Sequence, residues 1–216
     1  MTLAYIIHLA DYSDGVLYIL AALLLVALGV MFDRFWMLRS TILRGRASLN
    51  ATAALAELKP AQLRSLQDQA GTLPEARLLD VAQRHFGQAP EMLASRLDEA
   101  IMLIAPALDR RLWLLDTVIT LAPLLGLFGT IIGMFHAFSV LALPGHAPAD
   151  VTAGVADALV ATAFGIFIAM FGLTGYNALT NQVRLVIHQL DSMKMLIINR
   201  TQGAPQLPVA LHKAVA

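Results

Sequence analysis

The chain has 216 residues, of which 58% are hydrophobic and 14% charged, and its mean hydropathy is +0.68. That is too apolar for an ordinary soluble domain and fits an integral membrane protein. The absence of cysteine excludes disulfides and thiolate metal sites, and a zero formal net charge hides a strong asymmetry in where the charges lie.

All fifteen Lys and Arg fall between Arg34 and Arg111 or between Arg184 and Lys213. Basic segments stay in the cytoplasm, so this pattern sets a topology. The first 33 residues contain no Lys or Arg, and Asp11 and Asp14 precede the first apolar run. A signal peptide would begin with a basic region. Residues 1–38 are therefore read as an N-terminus outside the cytoplasm followed by an uncleaved first transmembrane helix, Val16 to Leu38, with Trp36 at the interface.

Residues 39–111 read as a cytoplasmic helical domain. Pro60, Pro74 and Pro90 each precede an amphipathic run and suit the first position of a helix. Leu93, Leu97, Ala100, Ile101, Ile104 and Leu108 recur at helical spacing, and Pro106 is a candidate bend. Residues 112–143 form the second predicted transmembrane helix. At ~1.5 Å per residue it is ~45 Å long, more than the ~30 Å hydrocarbon core, so it should project past the bilayer. Residues 144–150, Pro-Gly-His-Ala-Pro-Ala-Asp, read as a turn. Residues 151–180 form the third transmembrane helix, and residues 181–216 a cytoplasmic helical extension with a mobile, Pro-containing tail. No strand pattern, internal repeat or low-complexity segment is apparent.

The polar residues inside the apolar segments carry the functional signal. From Leu112 to Val183 there is no Lys or Arg, and the acids are Asp116, Asp150 and Asp157. Asp116 and Asp150 fall near segment ends, whereas Asp157 lies within one. A carboxylate at a helix centre in lipid costs roughly 2.5–3.5 kcal/mol on insertion scales, so its persistence points to water, a partner or a moving ion. A structural interhelix hydrogen bond is the competing reading. Thr130 and Thr162 either serve such a pathway or satisfy their hydroxyls on the backbone carbonyl four residues back. Asp116 is either an interfacial hydrogen-bonding group or the inner mouth of a pathway. His136 is either a packing residue or a proton relay.

Ala122, Gly126, Gly129, Thr130, Gly133 and Ala137 fall on one face of the second helix, and Gly154, Ala158, Ala161, Gly165, Ala169 and Gly172 form a matching stripe on the third, flanked by Asp157 and Thr162. Small residues let membrane helices approach closely, so Gly126, Gly129, Gly133, Gly154 and Gly165 read as packing positions. The histidines His8, His85, His146, His188 and His212 show no metal spacing. There is no GxSxG, Walker A or HExxH motif, so no enzyme is expected. The basic clusters Arg39 to Arg46 and Arg110-Arg111 suit a membrane surface and its lipids rather than nucleic acid.

Ala122-Pro-Leu-Leu-Gly-Leu-Phe-Gly-Thr-Ile-Ile-Gly-Met134 and Gly154-Val-Ala-Asp-Ala-Leu-Val-Ala-Thr-Ala-Phe-Gly165, followed by Tyr176-Asn177, resemble the MotA/TolQ/ExbB proton-channel proteins. Order, spacing and topology agree over roughly Leu112 to Asn181. Three transmembrane helices and a modest cytoplasmic domain are similar to the ExbB/TolQ branch, since MotA-type stators have four. The resemblance implies an all-α integral membrane protein with long cytoplasmic helical extensions, assembled as a homopentameric ring around a central pore. It implies a bacterial inner membrane, a periplasmic N-terminus and a cytoplasmic C-terminus. The pore would hold a dimeric ExbD- or TolR-like single-pass partner. Proton flow, with no cofactor beyond the coupling ion, would drive a motor that energises a TonB-like partner in outer-membrane transport. A TolQ-like role with a TolA-like partner in the Tol-Pal system of envelope maintenance and cell division is the alternative, and a passive membrane scaffold is a reading from another class. The family's polar pore positions fall on Thr130, Asp157 and Thr162. The family acid is usually glutamate; here it is aspartate, one methylene shorter. The family often has Ala-Ile-Pro-Ala further on; here the chain reads Ala169-Met-Phe-Gly172, so no proline kink is expected.

Overall fold

A computed structural model describes residues 15–141 and 148–201. All described elements are helices: α1 Val16–Ala53, α2 Pro60–Ala70, α3 Pro74–Arg84, α4 Pro90–Leu108, α5 Leu112–Leu141 and α6 Pro148–Thr201. Helices α1, α5 and α6 are each long and apolar enough to cross a membrane. Much of the turn expected over 144–150 lies outside the described residues, as do the N-terminal segment 1–14 and the tail beyond 201. Residues 148–150 are already helical, with Pro148 at the start of α6, where its missing N–H leaves no helical bond unmade.

The first helix does not stop at Leu38. It runs to Ala53, because neither proline nor a turn sequence follows the apolar run and Gly45 alone is too weak a breaker. The third membrane helix likewise runs on through 54 residues, ~80 Å at the standard rise.

The chain divides into two units. The first comprises residues 1–35 and 111–180. Its interior is built of Val16, Leu20, Ala27 and Val30 from α1, Leu115, Val118 and Ala122 from α5, and Ala158, Ala161 and Ile168 from α6. Large apolar side chains point outward instead, among them Phe32, Phe135 and Phe167. That inversion is expected where the surrounding medium is hydrocarbon or another helix. At the end of this unit Arg111 takes a left-handed backbone, φ 70°, and its guanidinium donates to Asp33 at 2.9 Å.

The second unit comprises residues 36–110 and 181–216 and holds all of the fifteen Lys and Arg except Arg34 and Arg111. Pro60, Pro74 and Pro90 each occupy the opening position of a helix, as their sequence context predicts. The predicted stripe Leu93, Leu97, Ala100, Ile101, Ile104 and Leu108 is buried throughout. It meets an interior that also contains Leu63 and Leu66, Leu78 and Leu79, and the α6 row Val183, Val186, Leu190, Met193 and Ile197. That row alternates three- and four-residue steps, the spacing that keeps one helix face inward.

Arg200 closes this unit. Its guanidinium donates to the carbonyls of Thr52 at 2.8 Å, Ala53 at 2.5 Å and Leu55, at the end of α1. Its own carbonyl accepts from Leu58 N–H at 3.0 Å. The last carbonyls of a helix have no internal donors, so one side chain satisfies groups that the helix cannot. Arg200→Ala is expected to destabilise the second unit by about 1.5–3 kcal/mol, the range for a hydrogen bond to a charged group. Protease sensitivity near Ala53–Leu58 in detergent should rise; an unchanged cleavage pattern and melting temperature would count against the capping role.

Candidate functional site

The site begins with the close approach of α5 and α6. A Cβ on Gly126 would lie 2.8 Å from the Ala161 carbonyl oxygen and 3.0 Å from Thr162 Cα. One on Gly133 would lie 2.6 Å from Ala158 Cβ, and one on Gly129 3.0 Å from Ala161 Cβ. On the opposite helix, a Cβ on Gly165 would collide with the Ala122 carbonyl oxygen and sit 3.1 Å from Gly126 Cα. Backbone thus meets backbone, which gives dispersion contacts that larger residues would prevent. Gly154 is buried on the same helix.

This closeness brings two hydroxyls together. Thr130 Oγ1 donates to the Gly126 carbonyl at 3.1 Å, four residues back on its own helix. Thr162 Oγ1 donates to that same carbonyl from α6 at 2.9 Å. The two hydroxyls also contact each other. Three oxygen–oxygen contacts are therefore served by two hydroxyl protons. At any moment one contact lacks its own proton, so the donors can exchange roles by rotating about their C–O bonds. Thr130 is 7% exposed, whereas Thr162 is half-buried.

Asp157 is half-buried on α6 and is not a free group. Five residues separate it from Thr162, ~7.5 Å along the axis and ~140° around it. The buried row Gly154, Ala158, Ala161 and Gly165 runs between them. Carboxyl and hydroxyls thus flank that seam on opposite sides within one chain. Asp116 is exposed in the second turn of α5, far from both. His136 is half-buried, edge-on to Phe135 with ring centroids 5.9 Å apart. It lies six residues beyond Thr130, ~9 Å along the helix.

Two features were not legible as site features in the sequence. Gly126 reads there as a packing position only, yet its carbonyl is the acceptor that joins the two threonines. Arg34 reads as the basic end of an apolar run, yet it is 3% exposed. The signal for the first was the four-residue step from Gly126 to Thr130, the spacing of hydroxyl back-bonding.

The comparisons with known proteins fall on this region. The model of the MotA/TolQ/ExbB proton channel family matches residues 70–192, a span that contains Thr130, Asp157 and Thr162. The chain belongs to the MotA/TolQ/ExbB proton channel family. Within it, the chain is 29% identical over 189 residues to the biopolymer transport protein ExbB-like 3 of Synechocystis sp., covering 84% of this chain and 90% of that one. It is 40% identical over 81 residues to TolQ of Haemophilus influenzae, covering 37% and 36%. It is 32% identical over 104 residues to ExbB of Neisseria gonorrhoeae, covering 48% and 47%. The chain thus spans nearly the whole of the first relative but less than half of the other two. These matches support the ExbB/TolQ branch and a proton-channel function of the ExbB/TolQ type.

Proposed function

We propose that this chain is the ring-forming subunit of a proton-driven motor in a bacterial inner membrane, with Thr130, Thr162 and Asp157 on its proton pathway. The observation that carries the reading is the Thr130–Thr162–Gly126 hydroxyl cluster, which sits on the same helix pair as a carboxyl held within an apolar segment. The seam geometry gives oligomerisation a specific task. One copy holds the half-buried Thr162 hydroxyl on one flank of the α5–α6 seam and the carboxyl on the other, so packing copies side by side would bring the two kinds of group together across subunit boundaries. A ring would also enclose a wet lumen, which three helices alone cannot do.

A homopentamer around a dimeric ExbD- or TolR-like partner helix pair satisfies these needs, with the partner's acid taking up and releasing the proton. Under the positive-inside rule the second unit would lie in the cytoplasm and the N-terminus in the periplasm. One elementary charge crossing 100 mV releases about 2.3 kcal/mol, so a few such steps could do work on a TonB-like periplasmic transducer. Asp116 is then an interfacial group and His136 a packing residue at the far end of α5.

Reconstitution into lipid vesicles loaded with a pH-sensitive dye tests this. Proton flux should require both this chain and the ExbD-like partner. Thr162→Ala and Thr130→Ala should each lower it several-fold, and the double variant should lose less than the product of the two, because both hydroxyls act through one carbonyl. Equal flux with and without the partner, or flux indifferent to both threonines, would reject the pathway.

A further inference from the structure

The second unit contains an acid that the motor reading leaves unused. Glu75 is the second residue of α3, 1% exposed, and among the described residues neither of its carboxyl oxygens has a hydrogen-bond partner in another residue. Gly45 of α1 lies directly against it. A Cβ on Gly45 would collide with Glu75 Oε1, lie 3.0 Å from the carboxyl carbon and 3.2 Å from Gln189 Oε1 of α6. Glycine is what admits the carboxyl to this junction of three helices.

Gln189 is oriented by its other end. Its Nε2 donates to the Ile42 carbonyl at 3.2 Å, so Oε1 is turned toward the Gly45 side, where it too lacks a donor. Three buried oxygens thus converge with no hydrogen among them. An ionised carboxylate in such a place costs several kcal/mol. Among the described residues no neighbouring charge offsets it. On α1, Arg44 and Arg46 flank Gly45 and are exposed; on α3, Arg77 is exposed and Asp80 pairs with Arg84 at 2.7 Å. On α6, His188 is exposed and Asp191 half-buried, while Lys194 pairs with Asp98 of α4 at 2.6 Å. On α2, Arg64 and Asp68 are exposed.

We propose that Glu75 is a second proton-binding site, in the second unit: its neutral carboxylic acid donates to Gln189 Oε1, fastens α3 to α1 and α6, and releases that junction when the proton leaves. Burial pushes the Glu75 carboxyl upward, opposed by a hydrogen bond from its own backbone. The folded chain therefore holds this proton to higher pH than the unfolded chain does. The stabilisation is complete below the ordinary value of 4.5 and is lost as pH rises through the raised one. The site would make the packing of α1 and α6, two helices that also span the membrane, answer to pH on the side where this unit lies.

The test uses the full chain in detergent, melted from about pH 5 to about pH 8.5, with infrared spectra of the protonated carboxyl stretch. The wild type should melt progressively lower as pH rises. Glu75→Gln supplies an amide donor in place of the acid proton, so it should flatten that dependence and delete one protonated-carboxyl band. Gln189→Leu removes the acceptor and should shift the same band without deleting it, which keeps the proposal open to refutation should Glu75→Gln misfold. Superimposable pH profiles for wild type and Glu75→Gln, or a band unchanged in both variants, would overturn the proposal. So would a melting temperature raised by sodium and indifferent to acid, which would make this a cation site.

Discussion

Asp157→Asn and Asp157→Ala, each coexpressed with an ExbD- or TolR-like partner, are expected to lower proton-driven work by at least about tenfold, the effect of ~1.4 kcal/mol on a rate-limiting proton step. Asparagine keeps the size and the hydrogen-bonding capacity of the side chain but cannot exchange a proton. It therefore separates the two readings of Asp157. A purely structural interhelix bond would survive in Asp157→Asn and fail only in Asp157→Ala. A pathway acid would fail in both, with assembly intact in Asp157→Asn. The measurements are siderophore-dependent growth for a TonB-coupled role, envelope integrity for a Tol-coupled role, and subunit count by native mass spectrometry. Unchanged growth and integrity in both variants would remove Asp157 from the mechanism. Which phenotype falls would also assign the partner system.

The second large effect belongs to the seam itself. Gly165→Val should disrupt the α5–α6 crossing, because even the first added carbon collides with the Ala122 carbonyl oxygen and approaches Gly126 Cα at 3.1 Å. Both obstacles are backbone, so no side chain can rotate away. Overpacking of this kind costs typically 1–3 kcal/mol, and the rigid neighbours place Gly165→Val at the upper end, about 3 kcal/mol. The shift should also part Thr162 from the Gly126 carbonyl, so flux and stability should fall together. Gly29→Ala is the control: on α1 no atom of the described residues lies within 4 Å of the added carbon and alanine is the better helix former, so the melting temperature should hold or rise slightly. Equal losses from the two variants would show that steric contact at the seam does not govern the effect, since both substitutions improve helix propensity.

Much of this architecture was legible because apolar runs, their lengths and the placement of Lys and Arg are one-dimensional properties. The three membrane helices, the prolines opening α2, α3 and α4, and the inward row from Leu93 to Leu108 all follow from spacing alone. The stripes Ala122 to Ala137 and Gly154 to Gly172 were legible for the same reason. The apolar run ends at Leu38 while α1 continues to Ala53, because loss of hydrophobicity marks where lipid ends and not where a helix does. Residues 148–150, expected within the turn, are helical, since Pro148 opens α6 rather than interrupting it.

The amino-acid sequence by itself determined that this is a three-span helical membrane protein of the MotA/TolQ/ExbB family, with an acid and two threonines in its apolar segments. Helical period and hydrophobicity are local and additive, so they survive without coordinates. Only the tertiary structure decided that Thr130 and Thr162 share the Gly126 carbonyl and that Glu75 is sealed against Gly45 and Gln189. The contacts of Thr162 with Gly126 and of Glu75 with Gly45 and Gln189 join residues 36, 30 and 114 positions apart. They depend on the rotation of one helix against another, and a few tens of degrees about an axis decide whether a polar group meets a partner or is left without one.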